Sequence, residues 1–297
     1  MNYFGDLHCD TLWRCYDNRS DLGDPSLQLK RDPPFRHLQT YAIYIPDTEE
    51  DPYRYFRAVY AYAEEMLRRY PALVLCRTAA EIDEAFAAGR TPYLFSIEGG
   101  GFFKNYRMVQ ELRQKGIAFA GLCYNRGNEL AGGIHSEQGL TPQGRDASLM
   151  LREAGITVDL SHMNHRSADE VLELLPDHVA ATHSNCYGLV DHPRNLTDDQ
   201  IKALIRKKGL MGINFYPPFL SKKKNAYIED ILLHIRYVLS LGGREILAFG
   251  SDFDGIEATP MDLPDLHALP RLGDLLSEDL LYGNMKRYLD QNLKERP

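Results

Sequence analysis

The first residues able to do chemistry are a histidine and an aspartate near the N-terminus. In the segment Asp6-Leu7-His8-Cys9-Asp10, alternation along an extended strand points His8 and Asp10 to one side and Cys9 to the other. Imidazole nitrogens and carboxylate oxygens both bind divalent metal ions. Such a pair on its own is more often a hydrogen-bonded strand end than a metal site, so its meaning depends on what else the chain supplies.

Four further side chains of ligand type each follow a short apolar run. Glu98 precedes three glycines that permit close backbone approach, and a carboxylate can bridge two ions. His162 and His183 end two consecutive runs, and Asp252 ends the last one. A single residue of this kind is usually solvated or structural. Two histidines at matching points of consecutive runs favour a metal site instead.

Short apolar runs alternate with amphipathic helical patterns along the whole chain, which is typical of repeated β-α units. The predicted strands are residues 3–7, 40–45, 92–97, 117–122, 156–160, 179–182, 210–214 and 246–250. The predicted helices are residues 53–69, 79–88, 108–115, 142–154, 167–175, 198–208, 228–241 and 278–294. Eight strands indicate an α/β protein, a single (β/α)8 TIM-type barrel forming one catalytic domain over residues 1–297.

Two segments are longer than a bare barrel unit requires. Residues 18–37 are rich in Asp, Pro and Arg, and residues 255–273 are rich in Pro and Leu. We expect both to follow strands, on the side of a barrel where loops build the active site, so both are candidate walls for a substrate.

Six of the side chains named above fall at the ends of five predicted strands, and a barrel gathers those ends on one rim. They are His8, Asp10, Glu98, His162, His183 and Asp252. We predict two divalent ions that share Glu98, one completed by His8 and Asp10 and the other by His162 and His183. Asp252 is then placed to take a proton from a water between the ions, whereas Asp254-Gly255 is better explained as a turn.

Composition narrows the cellular context. The 297 residues carry a formal net charge of -8 with a pI near 5.7, which gives no general attraction to nucleic acid or to anionic membranes. No secretory signal is visible, and the five cysteines are odd in number and scattered, without a C-x-x-C pair. We therefore expect no nucleic-acid or membrane partner and a reduced, cytoplasmic setting.

The chain resembles the membrane (renal) dipeptidase family, zinc peptidases with an amidohydrolase-like barrel. The resemblance extends over most of the chain and rests on a series of motifs in the same order. These are His8-x-Asp10, Glu98-Gly99-Gly100, Gly139-Leu140-Thr141, Asp159-Leu160-Ser161-His162, Thr182-His183-Ser184, His192-Pro193-Arg194-Asn195, Ser251-Asp252-Phe253-Asp254-Gly255 and Gly283-Asn284. The secretion and lipid-anchor signals of the animal enzymes are not visible, so the chain looks like a soluble, microbial-type member.

The resemblance implies two Zn²⁺ ions held by the five ligands predicted above, Asp252 acting on the bridging water, and a small dipeptide substrate. It also implies that Arg194 receives the terminal carboxylate of that substrate. Two positions depart from the family pattern: Tyr124 stands where mammalian members have a histidine, and Phe219 stands where a tyrosine is expected. A tyrosine donates a hydrogen bond but carries no positive charge, so these changes bear on the choice of substrate.

Several alternatives remain open at this point. The same metals and Arg194 suit an N-acyl amino acid deacylase, a dipeptidase specific for D-residues, or a metal phosphoesterase, and a non-catalytic binding barrel is a further alternative. Manganese or cobalt can replace zinc with these ligands. The residues leave open the side chains of the dipeptide, and they leave a homodimer open as well.

Overall fold

A closed ring of eight parallel strands forms the centre of the molecule, as the sequence predicts. The computed structural model describes residues 1–294; the last three residues of the predicted domain, 295–297, lie outside the described residues. The strands are β1 (Tyr3–Cys9), β2 (Arg36–Tyr44), β3 (Leu73–Leu75), β4 (Thr91–Glu98), β5 (Ile117–Gly121), β6 (Thr157–Asp159), β7 (Val179–Ala181), β8 (Leu210–Ile213) and β9 (Leu247–Phe249). All except β3 form the ring.

The ring closes through two pairings. β1 lies beside β9, with Asp6 opposite Phe249. β2 lies beside β4 over six residue pairs, from Gln39 opposite Tyr93 to Tyr44 opposite Glu98. The strands are buried along their length, as expected for a parallel sheet covered on both faces. The fold is therefore the predicted (β/α)8 barrel.

Helices connect the strands, and most begin and end within three residues of the predicted bounds. They are α1 (Thr11–Asn18), α2 (Pro52–Leu67), α3 (Ala79–Ala87), α4 (Tyr106–Gln114), α5 (Pro142–Ala154), α6 (His165–Leu174), α7 (Asp198–Lys207), α8 (Pro217–Leu220), α9 (Ile228–Ser240), α10 (Pro270–Gly273) and α11 (Asn284–Asn292). Short 3-10 turns occur at Arg244–Ile246 and Leu266–Ala268.

Local capping explains where several of these helices begin. The Thr197 side chain accepts a hydrogen bond from the Gln200 backbone, and the Gln200 side chain accepts one in return, which is a capping box at the start of α7. Thr141 caps α5 with Pro142 in the first turn, and Gly155 ends that helix with φ of 76°. α5 leads into β6, and α7 leads into β8.

Three differences from the predicted elements have simple causes. β3 was not predicted because it has three residues; it pairs with the start of β4 and takes no part in closure. α1 was missed because polar residues interrupt its short apolar pattern. The last predicted helix is divided, with a π-helical turn at Asp279–Gly283 preceding α11.

Candidate active site

Glu98, at the carboxyl end of β4, is the centre of a buried cluster of metal-ligand side chains. Its Oε1 atom lies 2.6 Å from Nε2 of His162 and 3.4 Å from Nε2 of His183. Nε2 of His8 lies 3.9 Å from the same oxygen. The four residues come from four different strand ends, and each is less than a tenth exposed. The rim thus brings together atoms that are up to 175 residues apart in the chain, from His8 to His183.

The second half of the cluster is rich in carboxylates. Nε2 of His8 lies 3.3 Å from Oδ2 of Asp10 and 3.8 Å from Oδ1 of Asp252. Oδ1 of Asp10 is buried and has no hydrogen-bond partner among residues 1–294. A buried carboxylate oxygen without a donor is costly unless a cation satisfies it. This orphaned oxygen fits a metal site.

The pKa shifts of the clustered side chains also fit a metal site. Burial raises the pKa of Glu98 well above its usual value, and the neighbouring Asp10 carboxylate adds to the rise. Burial lowers the pKa of His8, but the carboxylates of Glu98 and Asp10 outweigh it and raise that pKa to about 10. Burial lowers the pKa of both His162 and His183, which leaves them neutral. Neutral imidazoles beside excess carboxylate form a donor set that suits a divalent cation.

Asp252 follows β9 with φ of 62°, in the left-handed region, and its backbone N–H donates to the His8 carbonyl over 3.0 Å. Nδ2 of Asn214, which follows β8, donates to Oδ2 of Asp252 over 2.8 Å. Burial raises the pKa of Asp252 to about 6. Asn214 was not predicted as a site residue; its only signal in the sequence is a polar residue directly after a buried strand.

Arg194 is buried against the histidine half of the cluster. Its Nη2 donates to Nε2 of His162 over 3.0 Å and to the carbonyl of His183 over 3.2 Å. Its guanidinium carbon lies 5.5 Å from the centre of the Phe219 ring. Arg194 therefore lines the cleft above the cluster. Its sequence position alone would also be compatible with a surface ion pair.

Tyr124 covers His162, with the two rings stacked at 4.3 Å between centroids. Burial raises the pKa of its phenol, so the hydroxyl keeps its proton. Tyr44 packs edge-on against Tyr124 at 4.8 Å, and Trp13 packs edge-on against Tyr44 at 5.1 Å. These three rings form an aromatic wall, and of its members the sequence pointed only to Tyr124.

The cluster opens into a cleft of about 430 Å³. Gly255, Ile256 and Glu257 line it, so the second long segment contributes to the wall as predicted. A Cβ atom at Gly255 would lie 2.1 Å from Oδ2 of Asp10, so a larger residue there would occupy the space beside the proposed metal ligands. Among the described lining residues none comes from residues 18–37; that prediction was wrong, because the segment follows α1 rather than a strand.

A larger cleft of about 700 Å³ lies beside this one, between the loops that follow β2, β4 and β5. Acidic residues such as Glu49, Glu50 and Glu129 line it together with Lys104 and Phe102. Its described lining includes no histidine or cysteine, so the smaller cleft is the candidate active site.

Comparison with known proteins agrees with the geometry. Residues 6–293 match the family described as membrane dipeptidase, peptidase family M19. The chain belongs to this family. It is 31% identical to an uncharacterized protein in the pqqA 5′ region of Klebsiella pneumoniae over 239 residues, which cover 73% of this chain and 88% of that protein. An uncharacterized dipeptidase of Schizosaccharomyces pombe is 32% identical over 177 residues, 58% of this chain and 43% of the yeast protein.

The fold is also that of a solved metallopeptidase. A metallopeptidase from Rhodobacter sphaeroides, liganded with a phosphinate mimic of the dipeptide L-Ala-D-Ala, superposes with a TM-score of 0.87 at 23% identity, covering 98% of this chain and 99% of that one. Membership of family M19 makes the chain a peptidase, and hence a hydrolase. Across residues 1–294 we find no helix with both the length and the apolar character needed to span a bilayer.

Proposed function

We propose that this chain is a dipeptidase that works with two zinc ions. The observation that carries the proposal is the convergence of His8, His162 and His183 on one carboxylate oxygen of Glu98. In this proposal His8 and Asp10 would hold the first ion, His162 and His183 would hold the second, and Glu98 would be a ligand shared by both. When bound, such ions polarise a carbonyl and lower the pKa of an attacking water.

Asp252 is the group that moves the proton. Its Oδ2 atom is engaged by Asn214, and its Oδ1 atom faces the cluster 3.8 Å from His8. In this proposal Asp252 accepts a proton from the attacking water and delivers it to the nitrogen of the leaving amine. A carboxylate whose pKa is raised to about 6 by burial is suited to both steps.

Arg194 and Tyr124 orient the substrate. The Arg194 guanidinium binds the terminal carboxylate of the dipeptide with two parallel hydrogen bonds. The Tyr124 ring stacks on His162, and in this proposal its hydroxyl donates a hydrogen bond to the oxygen that gains negative charge. The dipeptide mimic bound to the Rhodobacter sphaeroides relative supports a dipeptide as the substrate class.

A metal-dependent substrate screen on the purified protein tests the proposal. We expect chelated protein to be inactive, and two equivalents of zinc per chain to restore hydrolysis of dipeptides. The panel contains dipeptides with L- and D-residues at the C-terminal position, N-acyl amino acids and phosphomonoesters. Faster turnover of acyl amino acids or phosphomonoesters than of every dipeptide would replace dipeptidase with that activity. Dipeptide hydrolysis that persists in fully chelated protein would remove the metals from the reaction.

A further inference from the structure

Asp159, Thr182 and His183 form a buried chain of hydrogen bonds behind the cluster. The Asp159 Oδ1 atom accepts from the backbone N–H groups of Thr182, over 2.9 Å, and Ser161, over 3.0 Å. The Asp159 Oδ2 atom accepts from the Thr182 hydroxyl in a short contact. The Thr182 Oγ1 atom in turn lies 2.8 Å from Nδ1 of His183. Each of the four residues is at most 5% exposed.

The direction of this chain follows from the chemistry of its members. An ionised carboxylate only accepts hydrogen bonds, and a hydroxyl has a single hydrogen to donate. Because that hydrogen is directed to Asp159, the Thr182 oxygen can only accept from His183. The neutral His183 ring must then carry its proton on Nδ1, which leaves the Nε2 lone pair facing Glu98 at 3.4 Å.

We infer that Asp159 and Thr182 are positioning residues that set the tautomer of His183 and so make its Nε2 atom available to a metal ion. The inference rests on the proposed function, since it assigns a purpose to the Nε2 lone pair. His162 has a weaker version of the same device: its Nδ1 atom lies 2.8 Å from Oδ1 of Asn125. An amide can turn to present its NH2 group instead, whereas the carboxylate of Asp159 cannot donate.

Replacing the Asp159 carboxylate by an amide should reverse the direction of these hydrogen bonds, because asparagine has nearly the same shape as aspartate but carries an NH2 donor. In Asp159→Asn, the side-chain oxygen still accepts from the two backbone N–H groups, and the new NH2 donates to the Thr182 oxygen. The threonine hydrogen is then released to donate to Nδ1 of His183, which moves the ring proton to Nε2 and blocks the metal. Thr182→Val removes the hydroxyl that sets the tautomer of His183, so neither tautomer is favoured by this hydrogen bond. Thr182→Ser keeps the hydroxyl.

Zinc affinity and the state of the histidine ring measure the effect. We expect competition with a chromophoric chelator to show one of the two zinc dissociation constants raised about 10- to 100-fold in Thr182→Val, the usual size of such effects. Thr182→Ser should bind zinc like the wild type, and Asp159→Asn should lose more than Thr182→Val. In zinc-free protein, ¹⁵N spectra of the histidines should show His183 protonated on Nδ1 in the wild type and on Nε2 in Asp159→Asn.

The double variant Asp159→Asn/Thr182→Val separates reversal from simple damage. Without the hydroxyl there is nothing to reverse, so the double variant should bind zinc better than Asp159→Asn alone. Thr40→Val is the matched control for packing, because the buried Thr40 hydroxyl has no hydrogen-bond partner within residues 1–294; it should leave zinc binding unchanged. Wild-type affinity and an unchanged His183 spectrum in Asp159→Asn would overturn the inference alone, whereas a wild type that binds no zinc would overturn the proposed function as well.

Discussion

Asp252 adopts a left-handed backbone conformation that costs energy for any residue with a side chain. The conformation is held by the hydrogen bond from its backbone to His8 and by Asn214 on its carboxylate. Its remaining oxygen faces the cluster, and among residues 1–294 Asp252 is the carboxylate of the cluster that the proposed ligand set does not use. This arrangement suits a proton carrier.

Asp252→Asn should lower kcat by about 10²- to 10⁴-fold, the usual contribution of a general acid–base group. The variant should keep two zinc ions per chain, because the five proposed ligands are unchanged. Steady-state kinetics and elemental analysis of the same preparation test this. Loss of one zinc would make Asp252 a ligand instead, and unchanged turnover would remove it from the reaction.

Arg194→Met keeps an unbranched side chain, shorter than that of arginine, and removes its charge. If Arg194 binds the terminal carboxylate, the wild type should prefer a dipeptide over the same dipeptide with an amidated C-terminus. The variant should lose that preference, with KM for the free dipeptide raised about 10- to 100-fold, as expected for charge-assisted hydrogen bonds. Zinc content must be measured alongside, because Arg194 also touches His162. A variant that still prefers the free carboxylate would place its recognition elsewhere.

At the scale of elements, Asp254 forms hydrogen bonds that link the long connection before β2, residues 19–35, to the rim of the barrel. Oδ1 of Asp254 accepts from the Gln28 backbone over 2.5 Å, and Oδ2 accepts from the Thr11 hydroxyl over 2.5 Å and from the Leu29 backbone over 3.3 Å. Thr11 is the first residue of α1 and follows Asp10 directly. The connection before β2 does not line the cleft, but through Asp254 it is joined to Thr11, the neighbour of the cluster residue Asp10.

Asp254→Ala removes these bonds and should destabilise the protein by about 2–4 kcal/mol, since buried donors to a charged group lose their partner. Residues 19–35 should then exchange amide hydrogens faster than they do in the wild type, by a larger factor than the barrel strands, as measured by hydrogen–deuterium exchange. Asp17→Asn is the control, because Asp17 is an exposed carboxylate of α1, the helix that Asp254 contacts through Thr11. Equal protection of residues 19–35 in wild type and Asp254→Ala would show that other contacts hold the connection.

At the scale of the whole molecule, buried histidines link stability to pH. Nδ1 of His234 accepts from the Cys186 backbone over 3.0 Å, and its Nε2 donates to the Leu220 carbonyl over 3.1 Å. Burial lowers the pKa of His234 to about 4. The unfolded chain binds this proton near pH 6.5 and the folded chain only near pH 4, so stability falls as the pH falls between these values and is unaffected above them.

His234→Gln should remove this dependence, because a glutamine offers one acceptor and one donor but does not titrate. Between pH 7 and pH 5 the wild type should lose about 2 kcal/mol more than the variant in its free energy of unfolding. Urea unfolding of both proteins at the two pH values, with chelator present, measures the difference. His37, whose pKa burial also lowers to about 4, is common to both proteins and cancels. Parallel losses in the two proteins would contradict a neutral, buried His234.

Periodicity and position along the chain were sufficient to predict the barrel and its cluster. Carboxyl ends of parallel strands meet on one rim, so a ligand-type residue after each apolar run predicts a shared site without any knowledge of contacts. Glu98, His162 and His183 were found in this way. The same reasoning missed β3 and α1, because three residues, or eight with an interrupted apolar pattern, carry too little periodicity.

Contacts between distant parts of the chain were decided only by the tertiary structure. The hydrogen bond from Asn214 to Asp252, the buried position of Arg194 and the direction of the chain through Thr182 all depend on how neighbouring strands and loops are placed side by side. Side-chain hydrogen bonds need atoms within about 3 Å, and no local pattern specifies that precision. Residue types along the strands therefore determined which groups share the rim, and packing determined which oxygen and which nitrogen face each other.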